Sequence, residues 1–575
     1  MVTRLTAIAA LVVASCGWAA AADEQHEPVS YVLSPVIERG VLRSVAIEMR
    51  FKGDADGQTV LKLPNEWGGE SELWRGISDL KITGDGVRVA ASPATETRTI
   101  TYTPGAEITV TYNAFQDRPG EPEAGPHNPY RNIVQPNYFH LLGNAIFLTP
   151  DWNDDSPATF AIRDLPNGWR FASDLEHAET GGHPLHLGDV AESVLVGGDF
   201  RIVTRPAMGG FLRVALRGTW SFTDDQLADK IAAIVASHNK FWRDLDEPFL
   251  VTLLPVKGAP ASQSLGGTGR GDAFALFATD NNRDNVINRI IAHEHIHTWI
   301  PGRIGRMHEK DEAQDYWLSE GFTDFYAYRL LVRDGIWSIE DFVEATNETL
   351  AAYWSSPVRD EPNARIVADF WKDPYVGKLP YQRGFLLGFI FDRQLRRESD
   401  GKHDLDDVVL TMKNKFTKLG AAGAPPMLSD SFVETMRAAG VDPSKRIARY
   451  VEKGEVIALP ADVFGPCGTV ATLDLAEFTR GFDPERTAAA GNVVTGLDPD
   501  GPAYAAGMRE GMKIIKREAG KPGDSRVELV YRVNDHGTER IIRYMPEGKN
   551  RVTLQEIQLK SNLNRDACAR RLGGF

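Results

Sequence analysis

Residues 293–297 read His-Glu-His-Ile-His, and the run Trp-Leu-Ser-Glu-Gly-Phe-Thr-Asp begins at position 317, twenty residues after the last of those histidines. His293 and His297 stand four apart, so on a helix they share one face about one turn from each other. Two imidazoles at that spacing grip one metal ion, and Glu294, next along the turn, reaches a reacting water as general base. Glu320 is the third protein ligand in this reading, which leaves one position open. Those are the groups of a mononuclear zinc hydrolase. His295 falls roughly 200° round the helix from His293 at about 100° per residue, so it is not a ligand. Two imidazoles and a carboxylate also suit cobalt or manganese, so zinc, one per chain, is inferred from ligand type.

The setting strengthens the motif. From Asn285 to Trp299 (NVINRIIAHEHIHTW), Val286, Ile287, Ile290 and Ile291 lead in, and Ile296 and Trp299 follow. A helix this apolar is largely buried, and buried histidines need partners that justify them. A second helix is read over 318–331, with Leu318, Phe322, Phe325 and Leu330 as its core stripe. Glu320 and Asp324 lie four apart on its other face. Asp324 is thereby placed beyond the metal ligands, to accept the free ring N–H of a zinc histidine.

HEHIHTW followed by WLSEGFTD resembles the gluzincin metallopeptidases, and within them the glycyl aminopeptidase family, family sixty-one of the metallopeptidases. Leu379-Pro380-Tyr381-Gln382-Arg383-Gly384 is similar to the gluzincin Pro-Tyr-x-Lys/Arg-Gly segment. By that resemblance Tyr381 is the phenol that stabilises the oxyanion. The physical reason is independent: a hydroxyl donor facing the metal lowers the cost of charge developing on a carbonyl oxygen. Tyr375 is a neighbour without an assigned role. The resemblance implies a thermolysin-like catalytic domain acting on peptides.

One segment departs from the wider pattern. Aminopeptidase relatives carry a Gly-x-Met-Glu-Asn-like stretch about one strand ahead of the zinc helix, where a glycine backbone pairs with substrate and the glutamate holds the amino terminus. Here that place reads Leu265-Gly266-Gly267-Thr268-Gly269-Arg270-Gly271-Asp272, followed by a strand-like Ala273–Phe277. Gly266 and Gly267 suit a backbone that approaches substrate closely. No glutamate follows them; Arg270 is basic and Asp272 is the nearest acid. Exopeptidase and endopeptidase action therefore both stay open. So does a flexible glycine loop, but not a phosphate loop, since no Gly-Lys-Ser/Thr follows.

The fold class expected is α+β and multidomain. Residues 28–205 alternate apolar and polar in short runs such as SVAIEMRF (44–51) and EITVTY (107–112), the grammar of a β-sandwich-like domain. From about Thr223 the period turns helical, with Thr223 or Asp224 as a cap. A strand at 248–254, the glycine segment and the zinc helix place a thermolysin-like, mainly helical catalytic domain at 206–460. The tail, 465–575, resembles a PDZ-like module. Pro502-Ala503-Tyr504-Ala505-Ala506-Gly507-Met508-Arg509-Glu510-Gly511-Met512 matches that family's turn, with Met512 where an aspartate is usual. Such modules bind extended peptides by strand addition, or here pack against the catalytic domain.

At 575 residues the chain is too long for one core. Its net charge of −15 disfavours nucleic acid and anionic membrane surfaces as main partners, while peptide or polypeptide substrates are what the resemblance implies. Residues 1–22 read as a secretory signal too short to span a membrane. Cleavage near Ala22 releases a soluble protein; Val13-Ala14-Ser15-Cys16 resembles a bacterial lipoprotein box and would anchor the chain at Cys16. The better-formed alanine site favours release, to the bacterial periplasm or outside. Cys467 and Cys568 then remain, an even count for an oxidising compartment, and pair as a disulfide candidate unless both stay buried thiols. A peptide-binding protein with a vestigial metal site is the reading from another class. The complete ligand set argues against it.

Overall fold

The computed structural model describes residues 26–574 apart from 91–94, 125–129, 177–183, 208–209, 245–248, 259–262, 283, 309 and 421–425. The leader expected at 1–22, with Cys16 and Ala22, lies outside the described residues. No helix among them is long and apolar enough to cross a membrane.

The chain begins as three sheets. Strands Val29–Glu38, Val41–Lys52 and Glu107–Ala114 bury alternate residues, as their sequences predict, and form the middle of a six-stranded sheet. The register sets Tyr31 opposite Met49 and Ile47 opposite Tyr112, so the inward side chains stack into one core. A four-stranded sheet built on Gln58–Lys62 adds Leu61 and Ile100 to the same core.

The third sheet forms a middle layer. Its strands Tyr138–Leu142 and Val194–Gly198 are buried on both faces. Phe139, Leu141 and Leu195 join the first core. Tyr138, Leu142, Val194 and Val196 turn the other way, onto Leu250, Leu254, Ala275 and Phe277 of the next sheet. A strand covered on both faces reads as a continuous apolar run, without alternation.

That next sheet runs Arg201–Ala207, Gly210–Leu216, Phe249–Pro255, Ala273–Ala278, with Leu265–Arg270 on the edge. The break placed at 205/206 falls inside its first strand. The hairpin with Gly210–Leu216 draws Arg201–Ala207 into this sheet, so the boundary lies earlier. Val251, Leu253, Phe274 and Leu276 face a helical layer. Its first helix, Asp224–Trp242, is capped by Thr223, whose hydroxyl accepts from Gln226 N–H while the Gln226 side chain returns the bond.

His140 locks the middle layer to this sheet: its Nε2 lies 2.9 Å from Thr252 Oγ1, and its ring stacks edge-on to Phe277. Burial pulls its pKa down to about 3, so the folded protein holds it neutral. The unfolded chain takes up that proton near pH 6.5, so this contribution to stability is complete above that value. It is lost as pH falls toward 3, at up to about 1.4 kcal/mol per pH unit. His140→Gln, which keeps a hydrogen-bonding side chain, should flatten the fall of melting temperature between pH 6 and 4. An unchanged slope would assign acid sensitivity elsewhere.

The segment 465–575 divides into two parts. The antiparallel strand pair Gly468–Phe478 and Glu547–Leu559 docks on the helix Ile339–Ser355, where Asn347 both donates to the Ile557 carbonyl and accepts its N–H. The last helix, Arg565–Leu572, lies against Tyr316–Arg333, and Arg329 Nε donates to the Leu572 carbonyl. Cys467 and Cys568 are bonded, as expected, and both sit in the catalytic core cluster. Only the inserted stretch keeps a core of its own, around Val494, Met512, Leu529, Tyr531 and Ile542. The bridge spans 101 positions. Its loss in the Cys467→Ser, Cys568→Ser double variant should cost about 4–5 kcal/mol in the chain-entropy model. A melting temperature equal to that of the parent would show that the contacts of the strand pair and last helix hold the tail without the bridge.

Candidate functional site

The zinc-type helix spans Asp284–Ile296, ending three residues earlier than read from the sequence. Its end tightens into a turn in which His297 N–H donates to Glu294 O and Trp299 N–H to Ile296 O. Pro301 follows, and a residue before proline is driven out of the helical region. The turn still carries His297 over His293: their Nε2 atoms are 3.1 Å apart. Glu320 Oε2 lies 3.2 Å from the first and 3.5 Å from the second. The three ligand atoms fall within 4.8 Å of one another.

Both imidazoles are oriented from behind. His293 Nδ1–H donates to Asp324 Oδ1 at 2.9 Å, and His297 Nδ1–H to the Ile300 carbonyl at 2.7 Å. Each Nε2 is thereby left as a lone-pair donor directed at the common point. Burial pushes Glu320 up, but His297 and His293 outweigh it and hold the carboxyl well below its usual range. Burial pulls His293 down, yet Asp324, Glu320 and Glu294 raise it to about 10. Three carboxylates around two imidazoles make a site that calls for a cation. Two neutral nitrogens and a carboxylate oxygen, with tautomers fixed, fit one zinc ion.

His295 turns to the opposite side of the helix. Its Nδ1 meets His238 Nδ1 at 2.9 Å within the aromatic core of Trp299 and Phe249, and burial lowers both pKa values. It belongs to the packing, not to the metal site.

Glu294 lies beside the donors without joining them. Its Oε2 accepts from Gly269 N–H at 3.2 Å, and burial raises its pKa. Tyr381 stands on the helix Pro374–Glu398, with its ring 5.9 Å from that of His293 at 27°. Burial, then the charges of Glu320 and Glu294, push its phenol well above the usual range, so it stays a proton donor. Tyr375 is 58% exposed, at the first turn of the same helix.

Two glycines set the distance between these parts. A Cβ on Gly384 would overlap the Trp317 carbonyl and Gly321 Cα, and one on Gly321 would overlap the Gly384 backbone. Only glycines allow the helices carrying Glu320 and Tyr381 to approach this closely.

The glycine segment is an ordered edge strand, paired antiparallel with Ala273–Ala278. Gly267 leaves room for the Phe274 ring, while Gly266 faces open space. The glycine that meets Glu294 is Gly269, which sequence reasoning passed over. Arg270 turns away from the site: its guanidinium lies 3.9 Å over Trp67 and donates to the Ala191 carbonyl. Tyr130 and Trp67 also went unread, since they arrive from the first sheets. Tyr130 Oη donates to the Gly267 carbonyl at 2.9 Å, and Trp67 Nε1 to Thr268 Oγ1 at 3.3 Å.

A His, His, Glu donor set, with His293 buried and the other two half-buried, and a second glutamate poised beside it define a zinc-dependent peptide hydrolase. Residues 287–375 match the family model of the M61 glycyl aminopeptidases. A search of curated proteins finds no match. Among solved structures, the chain is similar to an aminopeptidase N family protein from Idiomarina loihiensis, with TM-score 0.67 and 16% identity over 95% of this chain and 99% of that one. It also aligns with an M1 zinc metallopeptidase from Deinococcus radiodurans, with TM-score 0.49 and 17% identity over 76% and 96%.

Proposed function

We propose that the protein is an exported zinc aminopeptidase in which Glu294 is the general base and Tyr381 the oxyanion donor. The carrying observation is the position of Glu294, fixed by Gly269 N–H beside three metal donors it does not join. Bound at His293, His297 and Glu320, zinc supplies a Lewis acid for the scissile carbonyl and lowers the pKa of water. Glu294 takes the proton of the attacking water and passes it to the leaving amine. Tyr381 donates to the oxygen that gains charge as the carbonyl is attacked. Asp324 and the Ile300 carbonyl keep both imidazoles in one tautomer. The outward edge of Leu265–Arg270 receives the substrate backbone, with Gly266 giving clearance.

Gly269 favours a second reading, endopeptidase action or hydrolysis of another amide, because the edge strand brings no carboxylate to a free amino terminus. The inserted tail stretch is in this proposal a PDZ-like module. Its edge strand Lys513–Ala519, with Ile515 42% exposed, offers a peptide a pairing partner. The Cys467–Cys568 bridge supports export to an oxidising compartment.

Digestion of a mixed peptide library by the zinc-loaded protein, followed by mass spectrometry, separates the readings. Ladders losing single amino-terminal residues, abolished by chelation, are expected. Internal cuts would make it an endopeptidase, and no cleavage at all would defeat the peptidase reading.

A further inference from the structure

An aminopeptidase must recognise an α-ammonium close to the carbonyl it attacks, and the carboxylates around this centre are already engaged. Glu320 faces the metal donors, Asp324 holds His293, and Glu294 is the base. Glu70, on the segment next to Trp67, is buried in pairs with Arg118 and Arg131. Arg270 is turned onto Trp67. A carboxylate built on Gly269 would not solve the problem, because a Cβ there stands 3.4 Å from Glu294 Oε2 and its acid would crowd the base.

What the edge strand does carry is a phenol. Gly267 and Gly269 are two residues apart, so their outward polar groups recur about 7 Å apart along the strand. Gly269 N–H holds Glu294, and the Gly267 carbonyl holds the Tyr130 hydroxyl. The two side chains thus hang over the same edge. A phenolic oxygen both donates and accepts. With its proton committed to Gly267, the Tyr130 oxygen is left with lone pairs that no donor among the described residues takes up. Its ring is clamped by Phe277, edge-on at 6.4 Å, and by Gly68, where a Cβ would run into the ring. Glu294 is the one charge acting on the Tyr130 phenol among the described residues, and it opposes loss of the proton, as burial does.

We propose that Tyr130 is a specificity-determining residue for the aminopeptidase reaction, its oxygen accepting a hydrogen bond from the substrate's α-ammonium where the edge strand lacks a carboxylate. The inference rests on the aminopeptidase reading. It concerns recognition of a free amino terminus, so the substrate class is peptides with an unblocked amine. A neutral acceptor holds an ammonium less firmly than a carboxylate does, so discrimination against N-acylated peptides is modest. One charge-assisted hydrogen bond corresponds to about 10-fold.

The test uses the zinc-loaded full chain carrying Glu294→Gln, titrated calorimetrically with alaninamide, leucinamide and phenylalaninamide and with their N-acetyl forms. The free amines should bind about 10-fold tighter than the acetylated forms. Adding Tyr130→Phe, which keeps the ring in its clamp, should bring that ratio close to one without weakening the acetylated forms. In the otherwise wild-type enzyme the same change should raise KM for peptides with a free amine and leave kcat within about twofold. Equal weakening of both ligand forms would make Tyr130 a strut for the strand and overturn the proposal. So would an undiminished preference in Tyr130→Phe, or no preference in the parent. Cleavage of the peptide library by the wild-type protein reports on the peptidase reading separately, so the two failures are told apart.

Discussion

Replacing Glu294 by Gln should lower kcat by about 10²–10⁴-fold while the protein keeps its zinc. The metal donors are His293, His297 and Glu320, none of which the change touches. Glutamine is nearly isosteric and its amide oxygen still accepts from Gly269 N–H, so the edge strand keeps its anchor. What disappears is a group able to take a proton from water and return it to the leaving amine. Turnover on a cleaved peptide, measured beside zinc content, checks this. Full activity at full zinc occupancy would remove Glu294 from the chemistry; lost zinc would mean that it helps hold the metal.

A second large effect is expected at a residue that carries no side chain. Gly384→Val places a branched side chain where even a Cβ overlaps the Trp317 carbonyl and Gly321. The two long helices must part, at a cost of about 1–3 kcal/mol or more for overpacking. Glu320 sits one residue before Gly321, and Tyr381 three before Gly384. Parting the helices therefore pulls a metal donor and the oxyanion phenol out of place together. Both zinc affinity and melting temperature should fall, and activity at saturating zinc should drop by 10-fold or more, since a displacement of about 1 Å can cost 10²-fold. A stable, zinc-replete and fully active variant would refute the spacing argument.

Much of the centre was legible because its parts are local. Four-residue spacing placed His293 over His297 and Glu320 beside Asp324, and helical geometry alone turned His295 away. The Cys467–Cys568 pair followed from an even count. Period-2 alternation marked the middle strands of the first sheet, where one face is buried and the other is not. It failed for Tyr138–Leu142 and Val194–Gly198, which are covered on both sides and carry no alternating signal. The contacts of Tyr130 and Trp67 with the edge strand join residues 137 and 201 positions apart, and no local pattern announces such a meeting. The tail reads as one block in the sequence because its PDZ-like turn at 502–512 is its strongest local signal. Its flanking strand pair and last helix share the hydrophobic cluster of the helical layer, through packing that appears only in three dimensions.

That last attachment bears on the order in which the protein can come to life. The helix bearing Glu320 and Asp324 is completed by a segment that bonds to it across 243 positions. A chain emerging from its amino terminus has made every metal donor and the base long before residue 572 exists. Until then one flank of that helix, and the half-cystine at 467, stand uncovered. The flank of the helix that carries two of the site's carboxylates is thus among the last surfaces of the protein to be covered.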